Sequence, residues 1–412
     1  MLLNRIWIGM FLIAMVFGLS KLIFWHDLNI FKQMIDALFT TARNAFEIAL
    51  YLTGALCFWL GIMKIGENAG VIQKLTKMVS PLFTKLFPEV PKDHPAMGSM
   101  MMNLSANMLG LDNAATPLGL KAMKDLQSIN PSQDTASNAQ IMFMVLNASG
   151  LTLIPVTILA LRASNNSISP SSVFLPILIA TYFSTISALI YVAIKQKINL
   201  LNSTVLIYLG SVTAFILGML FFLLKFPAYI KPVSEVGSNL LLFGIIVMFI
   251  IMGVRAKINV YDNFIEGAKS GFQVATTIIP YLVAMLCAVA LFRTCGAMDA
   301  LLDAIRFLLI TAGIKYTEFV DALPVAFMKP FSGGGARAIM LETWDAFGVD
   351  SFPGKLAAVF QGSTETTFYV IAVYFGSVNI KNTRYAAAGG LIADLAGAIA
   401  AIYVSYLFFG NV

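Results

Sequence analysis

Apolar runs long enough to cross a bilayer, about 20 residues each, recur along this 412-residue chain at 6–25, 44–65, 171–194, 203–224, 238–254, 271–292 and 386–409. Each run must pair its own backbone N–H and C=O groups once water is gone, so each is read as a helix. Two more runs, 138–161 and 356–377, reach the same length but carry polar residues and helix breakers at their centres. Charged residues are only 12% of the chain and hydrophobic residues 58%, where a soluble domain carries about 25% charged residues. The expected fold is an all-α polytopic membrane protein with nine transmembrane helices. The first run follows Arg5 and lacks a small-residue cleavage site, so it is read as a span and not as a removable signal.

Two further stretches are too polar for a span and too apolar for a loop. In 103–123, Asn107, Asp112, Asn113 and Thr116 stand among Leu, Met and Ala, with Gly110, Pro117 and Gly119 interrupting the helix. In 329–340, Ser332-Gly333-Gly334-Gly335 is followed by Arg337. Lengths of 96–123 and 323–347 suit re-entrant helical hairpins better than crossings. Amphipathic stretches at 26–43, 71–87, 257–270 and 298–312 fit interfacial helices.

The order of elements repeats. Span, amphipathic helix, span, amphipathic helix, re-entrant hairpin, broken span and last span run from 6 to 194 and again from 238 to 409. An offset of 226 residues carries Phe46 onto Phe272, Gly70 onto Gly296 and Leu75 onto Leu301 without gaps. Each repeat has four spans, and the extra span at 203–224 turns the second repeat over in the bilayer. The direct repeat in sequence thus predicts two inverted repeats with broken helices, an architecture of many secondary transporters. The expected division is 1–200, a connector at 201–236, and 237–412.

Breaks at membrane depth are tolerated where they line a cavity, and their free helix ends bind ions and polar groups. The candidate substrate-binding residues are therefore Asn107, Asp112, Asn113, Thr116, Asn147, Ser149, Ser332, Gly333, Gly334, Arg337, Gln361, Ser363, Thr364 and Glu365. Asn147 and Ser149 correspond by position to Gln361 and Ser363. Each has a plainer reading as well: Asp112 and Asn113 as turn or cap residues, the glycines as a turn, the hydroxyls as bonds back to their own helix. Glu365 lies mid-span, where a carboxylate costs several kcal/mol unless paired or protonated. It is either a solute or cation contact or the partner of Arg337 or Lys329. Arg337 could equally grip a ligand carboxylate or neutralise Glu342 or Glu365.

Other classes fit poorly. Three cysteines make no CxxC pair and no even disulfide set, and two histidines give no zinc or haem centre. The glycines lack the P-loop Lys-Ser/Thr, and no Ser/His/Asp set marks an enzyme. A net charge of +6 without a basic, aromatic-rich patch argues against nucleic acid. No metal or cofactor is expected, with Na⁺ or H⁺ as candidate coupling ion. An N-terminus-in orientation puts eight Lys/Arg of the short loops inside and five, Arg162 among them, outside, a weak bias.

KDHPAMGSMMMNLSANMLGLDNAATPLGLKAM followed by TASNAQIMFMVLNASGLTLIPVTILALRA, in the first half, resembles bacterial spore maturation protein A. YDNFIEGAKSGFQVATTIIPYLVAMLCAVALFRTCGAMD followed by QGSTETTFYVIAVYFGSVNIKNTRYA, in the second, resembles spore maturation protein B. The chain is similar to the fused form of this family, which belongs to the nucleoside-recognition, Gate-domain group together with concentrative nucleoside transporters. The resemblance implies a multi-pass protein of the bacterial inner membrane, transporter-like, not an enzyme, for a small polar or anionic solute, nucleoside-like or a carboxylate. The alternative it leaves is a membrane scaffold or regulator of envelope or spore maturation that keeps the fold without transporting. A homodimer is expected by analogy alone.

Overall fold

A computed structural model describes residues 2–110, 112–314 and 316–410; the side chains of residues 2, 3 and 112–114 lie outside the described residues. Among the described residues there is no strand, and seven helices are long and apolar enough to cross a membrane. In chain order the helices are α1 (Leu2–Phe24), α2 (Ile30–Asn68), α3 (Val71–Leu86), α4 (Pro95–Met108), α5 (Asp112–Gln127), α6 (Asn138–Ala148), α7 (Val156–Ser164) and α8 (Phe174–Gln196). The connector is α9 (Ser203–Lys225). The second set is α10 (Pro227–Arg255), α11 (Val260–Thr294), α12 (Ala297–Thr311), α13 (Leu323–Met328), α14 (Gly333–Phe347), α15 (Phe352–Ser363), α16 (Thr367–Gly376) and α17 (Ala386–Phe409). The two broken spans are the pairs α6–α7 and α15–α16, and the two hairpins are α4–α5 and α13–α14.

The offset of 226 residues holds in three dimensions. It carries the end of α2 at Asn68 onto the end of α11 at Thr294, and the start of α3 at Val71 onto the start of α12 at Ala297. Between them Gly70 and Gly296 both take the left-handed backbone, with φ of 80° and 88°. A side chain is strained in that region, which accounts for glycine at both turns. At the broken spans the offset is 214, where the caps Ser137 of α6 and Ser351 of α15 are equivalent and each hydroxyl accepts an N–H three residues on, and at the last spans it is 213.

Equivalent helices pack against each other head to tail. The Cys287 thiol lies 3.7 Å from the Leu38 carbonyl, whereas Gly271 sits on Cys57 and Gly267 on Leu60, so α2 and α11 run antiparallel. Gly267 and Gly271 form a small-xxx-small face, and a Cβ at either would lie 2.3 Å from the Leu60 oxygen or 2.7 Å from the Cys57 backbone. Such close approach is the usual way helices associate in lipid, where burial of apolar surface gives little driving force. α8 and α17 are antiparallel too, with Ser184 on Gly397 and Tyr191 beside Gly389. Antiparallel equivalents mean a two-fold axis lying in the membrane plane, the inverted arrangement expected from the odd connector. The connector α9 and the neighbouring α10 lie on the outside: in their most apolar windows only 11% and 22% of residues are buried.

Two expectations change. The amphipathic stretches 26–43 and 257–270 are not separate interfacial helices; each continues into the following span as α2 or α11. Nothing in either junction breaks a helix, and Gly271 serves packing instead of a turn. Arg162, expected in an outer loop, is fully buried. Its guanidinium donates to Asp350 (2.7 Å), Ser167 (2.8 Å) and the Val349 carbonyl (2.8 Å), while Asp350 also accepts the Ser167 hydroxyl and the Ile168 N–H. This clamp ties the loop after α7 to the loop before α15. The pseudo-equivalent clamp ties the loop before α6 to the loop after α16, where Lys381 and Asn382 donate to the Asp134 carbonyl and Ala136 donates to Asn382. The repeats are thus joined at both ends.

Candidate functional site

The two broken spans meet at their breaks. Glu365 N–H, in the α15–α16 break, donates to the Ala148 carbonyl at the end of α6 (2.9 Å). Gly150, at φ 65°, has no room for a side chain: a Cβ would lie 2.7 Å from the Glu365 nitrogen and 2.8 Å from the Thr364 carbonyl carbon. Each break is also held by its own hairpin. Leu153 donates to the Met108 carbonyl (2.7 Å), and Phe368 donates to the Pro330 carbonyl (3.0 Å). These bonds pair part of the backbone released by unwinding with protein, as irregular chain at membrane depth requires.

The side chains of the two breaks differ. In the first repeat they are saturated. Asn147 Oδ1 accepts from Asn107 (2.6 Å) and from the Tyr374 hydroxyl (3.2 Å), while its amide donates to the Phe143 carbonyl (2.8 Å). Asn103 donates to the Ala115 carbonyl and to Tyr374, which closes a lock between α4, α5, α6 and α16. Ser149 bonds back to the Leu146 carbonyl and meets Thr185 at 3.0 Å. In the second repeat the equivalent Ser363 bonds back to Phe360 in the same way. Gln361, the equivalent of Asn147, is buried and donates to the Gly333 carbonyl (3.2 Å); among the described residues its Oε1 has no hydrogen-bond partner.

A polar cavity of about 130 Å³ opens on that second break. Gly110, Thr152 and Pro155 form one wall, and Lys329, Gly333, Arg337, Gln361, Thr364 and Glu365 form the other. Five of the residues singled out in the sequence (Gly333, Arg337, Gln361, Thr364 and Glu365) thus come together. Asn107 and Asn147 instead border a larger cavity of about 1110 Å³ between the connector, α10 and the first repeat, with walls almost wholly of Leu, Ile, Val, Phe and Met from α3, α8, α9 and α10. Ser149 and Ser363 turn into their own helices. Ser332 caps α14, accepting from Gly335 (2.9 Å), whereas Gly334 is exposed. Thr116 is exposed on α5 and lines neither cavity. Asp112 and Asn113 have side chains outside the described residues. Glu365 is exposed at the wall of the polar cavity instead of buried within the span. His94 caps α4, accepting the Ala96 N–H (3.2 Å).

Four residues escaped the sequence reading as site residues: Asn103, Lys329, Tyr374 and Asp394. Lys329 is buried at the hairpin corner and lines the polar cavity. Asp394 is buried in α17 and accepts the Thr367 hydroxyl (2.7 Å). The signal for Asp394 was present: it is the one acidic residue within 386–409, and an ionisable group in such a span points to function by default.

The fold and site define a class, a polytopic membrane protein of two inverted repeats whose discontinuous helices cross at a polar cavity. Residues 49–164 match the Gate model, described as nucleoside recognition. The chain is 39% identical over 189 residues to "Spore maturation protein A" of Bacillus subtilis (strain 168), which covers 46% of this chain and 93% of that protein. It is 41% identical over 167 residues to "Spore maturation protein B" of the same organism, covering 40% of this chain and 92% of that protein. No solved structure matches it. The chain belongs to the spore maturation protein A/B family, and two relatives matched over nearly their full lengths are consistent with a fusion.

Proposed function

We propose that the protein is a secondary transporter of the bacterial cytoplasmic membrane that moves a small anionic organic solute, a carboxylate or a nucleoside-like anion, by alternating access. The observation that supports it most is the polar cavity at the crossing of the broken helices. Among the described residues Lys329, Arg337 and Glu365 are the ionisable groups lining it, and Arg is suited to bidentate contact with a carboxylate or phosphate. Inverted repeats supply the conformational change. One repeat has its break locked by Asn103, Asn107, Asn147 and Tyr374, and the other has its break facing a cavity. Exchanging the two arrangements would carry the opening to the other side of the bilayer without a new fold. At about 130 Å³ the cavity is below the roughly 300–1,000 Å³ of typical small-molecule sites, so solute entry requires the locked side to loosen.

The test is a thermal-shift panel on the full-length protein in detergent, with nucleosides, nucleotides, pyridine and aliphatic carboxylates and neutral analogues. Stabilisation by one anionic class, lost in Arg337→Met and Glu365→Ala with the fold intact, supports the reading. A flat panel, with a protein partner retained through purification, turns the reading to a membrane scaffold that keeps the fold.

A further inference from the structure

The two-fold axis allows the repeats to be compared position by position, and one difference is a carboxyl group. Ser184 of α8 donates to the Ser149 carbonyl (3.2 Å), and Gly397 of α17 lies against the equivalent Ser363 carbonyl, so Ser184 and Gly397 occupy matching places. One turn earlier on each helix stand Thr181 and Asp394. Thr181 is neutral and satisfied, its hydroxyl donating to the Gly150 carbonyl (2.6 Å). Asp394 takes the same position against the second break. It is only 8% exposed, its Oδ2 accepts the Thr367 hydroxyl, and among the described residues its Oδ1 has no close hydrogen-bond partner, the Thr364 hydroxyl acting on the carboxylate more weakly than Thr367.

The packing is built to bring it there. Gly390 and Gly397, four residues before and three after, admit the break against α17: a Cβ at Gly390 would lie 2.3 Å from Thr367 Cγ2, and one at Gly397 2.7 Å from Thr364 Cγ2. Asp394 therefore sits directly behind the unwound 364–366 segment whose other side forms the cavity wall. The charged groups acting on it are Lys329, attractive, and Glu365, repulsive, both lining that cavity. A buried carboxylate whose hydrogen-bond donors are neutral hydroxyls is poorly stabilised as an anion, and protonation of Oδ1 removes the charge without disturbing the Thr367 bond.

We propose that Asp394 is the proton-carrying group of this site and couples proton binding to anion binding through the charge it places behind the cavity wall. This rests on the transporter reading above. The balance is simple: the carboxylate takes one proton from water and becomes a neutral acid, and the proton leaves to water on the other side. While Asp394 is ionised, its negative charge directly behind the cavity wall opposes a solute anion in the cavity. Once Asp394 is protonated, that opposition is gone. Anion and proton then travel together, and by linkage the anion raises the proton affinity of Asp394 by the factor that the proton raises the anion's.

The experiment is infrared difference spectroscopy of the full-length protein in lipid nanodiscs during pH titration, with succinate and inorganic phosphate as anionic probes. We expect a protonated-carboxyl C=O band that titrates, disappears in Asp394→Asn and moves in frequency in Asp394→Glu. Succinate or phosphate should shift its midpoint to higher pH. Probe affinity should fall as pH rises, at most tenfold per pH unit for one linked proton, and be independent of pH in Asp394→Asn. Should Asp394→Asn misfold, Thr367→Val keeps the proposal testable, because loss of the hydroxyl donor should raise the midpoint. A band that survives in Asp394→Asn, or no titrating buried carboxyl, overturns the proposal even where probes bind. A band that vanishes in Asp394→Asn but ignores both probes, with the thermal-shift panel flat, leaves Asp394 as a protonation site and refutes the transporter reading instead.

Discussion

Gly150→Ala is the substitution that most directly tests whether the broken spans cross at their breaks. The added Cβ would meet the Glu365 nitrogen at 2.7 Å and the Thr364 carbonyl carbon at 2.8 Å, both backbone atoms that no rotamer change can clear. A left-handed backbone conformation costs an L residue about 1–2 kcal/mol, and forcing a methyl into a packed interior costs about 1–3 kcal/mol. Separation of the segments would also weaken the Glu365 N–H to Ala148 carbonyl bond, about 0.5–1.5 kcal/mol. The expected loss is therefore about 2–5 kcal/mol, these contributions partly overlapping. The assay is reversible unfolding in mixed micelles, with Gly244→Ala as control. Gly244 has open space around its Cβ position and lies in a helix, where alanine is favoured over glycine by about 1 kcal/mol. A Gly150→Ala protein within about 0.5 kcal/mol of the parent, the range of an ordinary surface change, would refute the crossing.

Four other outcomes follow from the packing. In a background without Cys57, Cys287 and Cys295, single cysteines at the exposed, equivalent positions Lys74 and Ala300 should react with an impermeant maleimide from opposite faces of the membrane; labelling from one face would end the inverted-repeat model. Arg162→Met should destabilise by about 3–5 kcal/mol by stranding a buried partner, read by the same unfolding assay, and Arg162→Met/Asp350→Asn should lose less than the sum of the single changes. Burial would push the Asp350 carboxyl up, but the Ile168 N–H, the Ser167 hydroxyl and Arg162 outweigh it and hold it below the usual carboxylate range. Its contribution is accordingly present above a pKa of about 3.9 and lost as pH falls through the depressed value, and an acid-unfolding curve of Asp350→Asn should lack that component. Gly271→Leu, whose side chain would run into the Cys57 backbone, should separate α2 from α11 and lower thermal stability, whereas Gly54→Leu, with nothing within 4 Å, should not.

What could be read in advance follows from what lipid forbids. With no water to pair backbone groups, every interruption of an apolar run is costly and therefore visible. The two breaks, the two hairpins and the 226-residue repeat stood out for this reason, and the turn glycines Gly70 and Gly296 fall where the offset puts them. Side-chain partnership across the axis carries no such mark. Asn147 and Gln361 are alike in sequence terms, both amides at a helix break. One is bonded by Asn107 and Tyr374 and the other faces a cavity, a difference set by neighbours that the local sequence does not name. Glu365 drew attention as a charge in a polar stretch, while Asp394 passed as part of an apolar helix. Burial reverses their standing. Glu365 is exposed at the cavity wall, and Asp394 lies buried behind it. A strict two-fold site would place the same group on α8, and Thr181 stands there instead. The departure from symmetry, more than the symmetry itself, sets the second break apart from the first and is what the proposed role of Asp394 rests on.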